Sequence, residues 1–143
     1  MKEGVTYAKL DMSGTDRFVK LREPLGVTSF GMNMILLKPG QRGRIHRHER
    51  QEEVYLVLEG TLSLSIEGQE RDLAKGELAR IAPAVRRQLI NRGPGRCAIL
   101  ALGGAGEHIG RDGTAFVSWE ATTGAPPQET PLPEDLPPSE RRG

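Results

Sequence analysis

Two histidines and a glutamate lie close together in the first half of the chain: His46, His48 and Glu53. Side chains at positions i and i+2 of a β-strand point to the same face, so an extended segment presents both imidazoles on one side. Glu53 opens the next apolar run and can fold back beside them. Two neutral imidazoles and one carboxylate form a facial triad with open coordination positions, which suits Fe(II), Mn(II), Ni(II) or Zn(II). We therefore predict a divalent-metal site at these residues.

A His-x-His pair alone is a weak signal, because it also arises by chance on charged, exposed strands. The flanking segments strengthen it. The apolar run Val54–Leu58 and the strictly alternating run Thr61–Ile66 each have the pattern of a strand. Glu59-Gly60 lies between them, as a hairpin turn would. Many short strands separated by glycines, with no long helical period, predict an all-β sandwich or barrel.

Composition narrows the range of partners. Twenty basic and nineteen acidic residues leave a net charge of +1, which gives no electrostatic reason to expect nucleic acid or a membrane surface. No apolar stretch approaches the roughly 20 residues of a membrane helix, and the charged N-terminus has no apolar run of a signal peptide. The one cysteine, Cys97, excludes an internal disulfide and suits a reducing compartment. We expect a cytoplasmic protein.

The chain length fits one domain, and its last twenty residues differ in character. Residues 124–143 contain six of the ten prolines and few apolar side chains. Such a segment buries too little surface to offset its ordering entropy. We expect a single barrel domain at residues 1–123, and a Pro-rich tail at 124–143 that is disordered or extended, or lies along a neighbouring subunit.

The spacing of the triad resembles the first motif of the cupin superfamily. That motif has a glycine, five residues, His-x-His, four residues, a glutamate, six residues and a glycine, here Gly40, His46, His48, Glu53 and Gly60. The resemblance extends over roughly residues 30–102. It implies a double-stranded β-helix (jelly-roll) cupin barrel with a pocket inside, usually dimeric and often holding a divalent metal through these two histidines and the glutamate.

The second motif of that family, Pro-x-Gly-x-x-His-x-x-x-Asn, is altered in this chain. Alignment on Asn91 puts Arg87 at the position of the histidine, which is the family's fourth ligand, and alignment on Pro83 puts Gln88 there. Strand alternation lets only one of the two face the pocket. The turn at Asn91 and Gly93 favours the first register, in which Arg87 points toward Glu53. In the second register Gln88 offers a neutral amide oxygen instead.

Three functions are compatible with this sequence. The first is a small-molecule-binding barrel with a divalent-metal site, in which Arg87, Gln88 and Tyr55 contribute to a ligand site and nearby arginines favour an anionic ligand. The resemblance implies the second, a metal-dependent dioxygenase or isomerase of a small oxygenated compound. The third is an interaction module without a ligand, which the intact first motif disfavours. We expect a homodimer, since sheet edges need cover. His108 is interpreted as a solvated loop residue.

Overall fold

The computed structural model describes residues 3–104 and 112–143, and its regular secondary structure is mostly β-strand. His108 lies outside these residues. The strands are β1 (Phe18–Lys20), β2 (Gly31–Leu37), β3 (Ile45–His48), β4 (Glu52–Glu59), β5 (Thr61–Ile66), β6 (Gln69–Ala74), β7 (Leu78–Ile81), β8 (Arg87–Ile90), β9 (Cys97–Gly104) and β10 (Gly113–Phe116). One short helix, α1 (Arg22–Leu25), and two 3₁₀ turns (Pro127–Glu129 and Pro138–Glu140) complete the described elements.

The strands form two antiparallel sheets of five. Their orders are β1-β2-β9-β4-β7 and β10-β3-β8-β5-β6. Neighbours in each sheet are mostly distant in sequence, as the long crossings between the sheets of a jelly roll require. The predicted all-β jelly-roll barrel is therefore confirmed. This topology puts β3 and β4, which are consecutive in the chain, into different sheets that face each other across the core.

The core lies between the sheets. Alternate residues of both sheets meet there, and the fully buried ones include Tyr55, Val57, Leu62 and Ile99. Leu64 of β5 and Leu89 of β8 are register partners and belong to the same buried cluster. The strand faces that carry these two residues therefore both point into the core. Side chains on the inward face of β8 thus point toward β4.

The C-terminal segment lies against the barrel of its own chain, to which several hydrogen bonds join it. The Arg44 Nε atom donates to the carbonyl of Thr130, and Arg42 Nε donates to that of Glu134. The backbone amide of Leu136 donates to Gly40, and the Leu136 side chain is only 2 % exposed. Within the described residues, no helix has the length and apolar character needed to cross a membrane.

Candidate metal centre

The facing of β3 and β4 brings the three predicted ligands together. His46 and His48 share one face of β3, and Glu53 lies near the start of β4 in the opposite sheet. The Glu53 Oε1 atom is 3.4 Å from His46 Nε2 and 3.2 Å from His48 Nε2. One potential ligand atom from each residue lies within 4.8 Å of the others. The three side chains thus lie close enough together to hold one metal ion.

Each imidazole is oriented by a hydrogen bond at its other ring nitrogen. His46 Nδ1 lies 3.1 Å from the carbonyl oxygen of Arg44, which is only an acceptor, so Nδ1 carries the proton. His48 Nδ1 lies 2.7 Å from Asp112 Oδ1, to which it donates in the same way. In the neutral imidazole this tautomer leaves the Nε2 lone pair free. Both Nε2 atoms face the Glu53 carboxylate, and both Nδ1 atoms have the acceptor that usually orients a metal-binding histidine.

Asp112 was not predicted from the sequence, yet it is the residue that holds His48. Its Oδ2 atom accepts the backbone amides of Arg50 and Gln51, each at 2.9 Å. One carboxylate therefore fixes both the His48 ring and the turn between β3 and β4. It comes close because the next residue, Gly113, pairs with His48 in the β10–β3 register. No local pattern marks it, since the contact spans 64 residues.

Glu53 is also approached from the core side by two buried groups. The hydroxyl of Tyr55, which is 1 % exposed, donates to Glu53 Oε1 at 2.6 Å. Arg87 is fully buried, and its Nη2 lies 3.1 Å from the same oxygen, an ion pair without a well-directed hydrogen bond. Arg87 Nη1 donates to the carbonyls of Val85 and Pro83. Arg87 thus lies inward, in the register favoured by the Asn91 turn.

The structure places Gln88 on the other face of β8, away from the triad. Its amide nitrogen donates to the carbonyl of Gly43 at 3.0 Å. The side chain, 5 % exposed, lines a separate cavity beneath the C-terminal segment together with Arg42 and Trp119. Adjacent strand residues point to opposite faces, so Arg87 facing inward requires Gln88 to face outward.

Burial and neighbouring charges shift the pKa values of Glu53 and His48 in opposite directions, and that of Tyr55 in the same direction. Burial alone raises the pKa of Glu53, but its contacts with His46 and His48 hold that pKa well below its ordinary value. Burial lowers the pKa of His48, but its contacts with Glu53 and Asp112 outweigh this and raise it. Burial, reinforced by the charge of Glu53, raises the pKa of Tyr55 well above its ordinary value. Glu53 is therefore a carboxylate and Tyr55 a neutral phenol at neutral pH.

One buried atom indicates what the triad can hold. Among the described residues no donor or acceptor satisfies His48 Nε2 in a hydrogen bond, although Glu53 is near. A buried nitrogen lone pair without a partner is costly, and a divalent cation would satisfy it. The triad thus fits a metal ion, and Arg87 occupies the sequence position at which the family has its fourth ligand.

Two adjoining cavities meet at the triad, and His48 and Glu53 line both. The inner cavity, of about 370 Å³, lies between the sheets and has mainly apolar walls that include Ile35, Leu37, Tyr55 and Leu89. The outer cavity, of about 540 Å³, is more polar and opens toward Lys20, Arg22, Glu23 and Gln51. A small molecule in this space would contact both an apolar wall and the triad.

Comparisons with known proteins agree with this architecture. The family model described as "Cupin domain" matches residues 33–103. Among curated proteins none matches the chain. Many solved structures share the fold, and three of those that match most of the chain illustrate it.

One is a sugar phosphate isomerase from a cupin superfamily, from Silicibacter pomeroyi, with 24 % identity, TM-score 0.63, and coverage of 81 % of this chain and 79 % of that one. A cupin protein from Bacteroides fragilis has 22 % identity and TM-score 0.66, covering 85 % and 98 %. A Cupin 2 conserved barrel domain protein from Salinispora arenicola has 18 % identity and TM-score 0.61, covering 71 % and 90 %. The family match and the common fold agree with the motif, and the chain belongs to the cupin superfamily of conserved-barrel proteins.

Proposed function

We propose that this cupin binds a small, oxygenated, anionic compound at a divalent first-row metal ion held by His46, His48 and Glu53. The observation that carries the proposal is the convergence of the two Nε2 atoms on Glu53 while both Nδ1 atoms are engaged by acceptors. A histidine pair that served only the core would gain nothing from leaving a buried Nε2 without a partner.

The surrounding charges support an anionic ligand. Lys20 and Arg22 line the outer cavity and Arg44 lines the inner one, whereas the acidic residues there are Glu23 and Glu53. A bound divalent ion adds two positive charges to this balance. Oxygen-containing groups are the natural occupants of the open positions on such an ion. The apolar walls of the inner cavity would hold the carbon skeleton of the same molecule.

Arg87 has a supporting role in this proposal. It lines neither cavity, and its guanidinium approaches Glu53 from the interior. From that side it keeps the carboxylate ionised and in place before any metal arrives. The guanidinium also weakens metal binding, because its positive charge near the triad repels a cation.

A second candidate function is isomerisation of such a compound. When bound, the metal would act as a Lewis acid that polarises a carbonyl or hydroxyl oxygen. Tyr55 favours this candidate, because the residue lines the inner cavity and its protonated hydroxyl hydrogen-bonds Glu53, from where it could pass a proton to a ligand. The Silicibacter pomeroyi neighbour is described as a sugar phosphate isomerase, a reaction on an anionic, oxygenated substrate. Tyr55→Phe would then abolish turnover of aldose phosphates even when the protein is saturated with metal.

The test of the metal site is elemental analysis of protein purified without an affinity tag or chelator. We expect about one divalent ion per chain, and its loss in the double variant His46→Ala/His48→Ala with the strand content in circular dichroism retained. The matched control is His108→Ala, which removes the remaining histidine and should leave metal content unchanged. A double variant that retains its metal would show that the ligands are elsewhere.

A second experiment tests whether Arg87 occupies the position of the family's fourth metal ligand. Arg87→His and Arg87→Met both remove the positive charge, but only histidine adds a ligand. We expect Arg87→His to bind Co(II) about tenfold or more tightly than Arg87→Met, since a tenfold gain needs only about 1.4 kcal/mol. Gln88→His is the matched control on the opposite face and should match the wild type. A gain confined to Gln88→His would refute the assignment of this position to Arg87.

A further inference from the structure

The C-terminal segment reaches the metal centre along a path that β10 fixes. Ala125 and Ala115 exchange backbone hydrogen bonds of 2.8 and 3.0 Å. A Cβ atom on Gly124 would lie 2.7 Å from the carbonyl oxygen of Ala115 and would overlap the Thr114 side chain. The segment therefore passes so close to β10 that only glycine fits at position 124.

Beyond this contact the chain turns over the site. The Thr130 hydroxyl donates to the carbonyl of Pro126 at 3.1 Å and closes the 3₁₀ turn, while Arg44 ties the carbonyl of Thr130 to β3. Pro127 lines the inner cavity together with His48, and both lie against Gly113. A Cβ atom on Gly113 would lie 3.4 Å from Pro127 Cγ and 3.6 Å from His48 Cε1. Residues 126–130, which we call the C-terminal lip, are thus held at both ends beside a predicted ligand.

Gln128 is the polar side chain that the lip contributes to the pocket. It lines both the inner and the outer cavity, as do His48 and Glu53. Gln128 is exposed at the rim of the pocket, and within the part of the chain that the structure describes its amide makes no hydrogen bond to protein, so its donor and acceptor can exchange water for a ligand. A neutral amide pairs well with a hydroxyl or a carbonyl group and has no partner in a methyl group.

We propose that the C-terminal lip is the outer wall of the ligand pocket, and that Gln128 selects ligands that carry a neutral hydroxyl or carbonyl group in addition to the group bound by the metal. The inference rests on the proposed function for the metal-bound end of the ligand. It makes Gln128 a specificity-determining residue, and it gives the Pro-rich tail a role in binding. An aliphatic acid offers no partner to the amide and lacks this hydrogen bond, so it should bind less tightly.

The position of the lip is testable without any metal. Gly124→Val should displace the lip, because the new side chain would collide with β10. We expect diethyl pyrocarbonate to modify His46 and His48 several-fold faster in this variant, as followed by mass spectrometry of the modified protein. Gly14→Val is the matched control, since a Cβ atom there meets nothing within 4 Å. Unchanged rates in a Gly124→Val protein that keeps its circular dichroism spectrum would overturn the lip.

The role of Gln128 is tested with two probes that differ by one hydroxyl, 4-hydroxybutanoate and butanoate, titrated into Co(II)-loaded protein. We expect the wild type to favour the hydroxylated acid about fivefold, the value of an ordinary hydrogen bond. Gln128→Leu should lose this preference at unchanged Co(II) content, and the neighbouring Glu129→Ala should retain it. Equal preference in wild type and Gln128→Leu would overturn the assignment.

The two proposals can fail separately. If the wild type takes up no metal, the proposed function is wrong, and the same two acids are then titrated into metal-free protein by calorimetry. A preference that depends on Gln128 under those conditions would still support the lip as the wall of a metal-independent pocket. Absence of any preference in both forms of the protein would overturn the role of Gln128.

Discussion

The pocket has two walls that are held in different ways. The inner wall is formed by β3 and β4 and carries the predicted ligands His46, His48 and Glu53 within eight residues of sequence. The fully buried Arg87 forms an ion pair with Glu53 from the interior.

The C-terminal lip comes from the far end of the chain and carries no buried ion pair; it is held by the backbone bonds between Ala125 and Ala115 at one end and by the hydrogen bond from Arg44 to the carbonyl of Thr130 at the other. Buried charges are expensive to disturb and exposed ones are not. The inner wall should therefore be rigid and sensitive to substitution, and the outer wall adjustable.

The largest expected effect is on stability, at the buried ion pair of the inner wall. Arg87→Met keeps the length of the side chain but leaves Glu53 buried without its cation. Removal of one partner of such a pair costs about 3–5 kcal/mol. Urea unfolding of the metal-free protein measures this loss.

The double variant Arg87→Met/Glu53→Gln is the control for that experiment. It removes both charges and keeps an acceptor for the Tyr55 hydroxyl, so it should recover a large part of the stability lost in the single variant. A single variant that loses less than about 1 kcal/mol would mean that the inner wall is not locked by this pair.

The same contrast explains what the sequence could and could not predict. The triad followed from alternation on a strand and from a local motif, and the inward register of Arg87 followed from the turn at Asn91. Asp112 and Gln128 left no such signal, because each reaches the site only through the packing of a distant segment against β3. The low apolar content of the tail gives no sign that it contacts the barrel. The hydrogen bonds of Arg42 and Arg44 to its carbonyls form only in the folded barrel, so the sequence could not predict them.

A smaller effect is expected where the inner wall meets β10. Asp112→Asn keeps the shape of the side chain but removes the charge that orients His48 and raises its affinity for a cation. Loss of such an outer partner typically lowers metal affinity 10- to 100-fold. Competition for Co(II) between the protein and a chelator measures the change, and Asp72→Asn is a matched control at an aspartate remote from the triad. An Asp112→Asn protein with wild-type affinity would show that the His48 ring is oriented by its packing alone.

The smallest effect is expected at the end of the tail, where Arg142 Nη1 lies 2.7 Å from Asp72 Oδ2. Both side chains are more than two-fifths exposed, so Arg142→Ala should cost at most about 0.5 kcal/mol, because solvent screens such pairs. The backbone bond from Arg142 to the carbonyl of Arg92 survives the substitution.

The hydrogen bond from Arg142 is the main cause that lowers the pKa of Asp72 below its ordinary value of 3.8. A lowered pKa stabilises the fold above the ordinary value, and that contribution disappears as the pH falls through the lowered pKa. The difference between Arg142→Ala and the wild type, measured by thermal unfolding, should thus be present at pH 7 and vanish in strong acid or high salt. A cost above 1 kcal/mol at pH 7, or faster modification of His46 and His48 in this variant, would mean that the lip depends on the last residues of the chain and is not held by Gly124 and Thr130 beside the site.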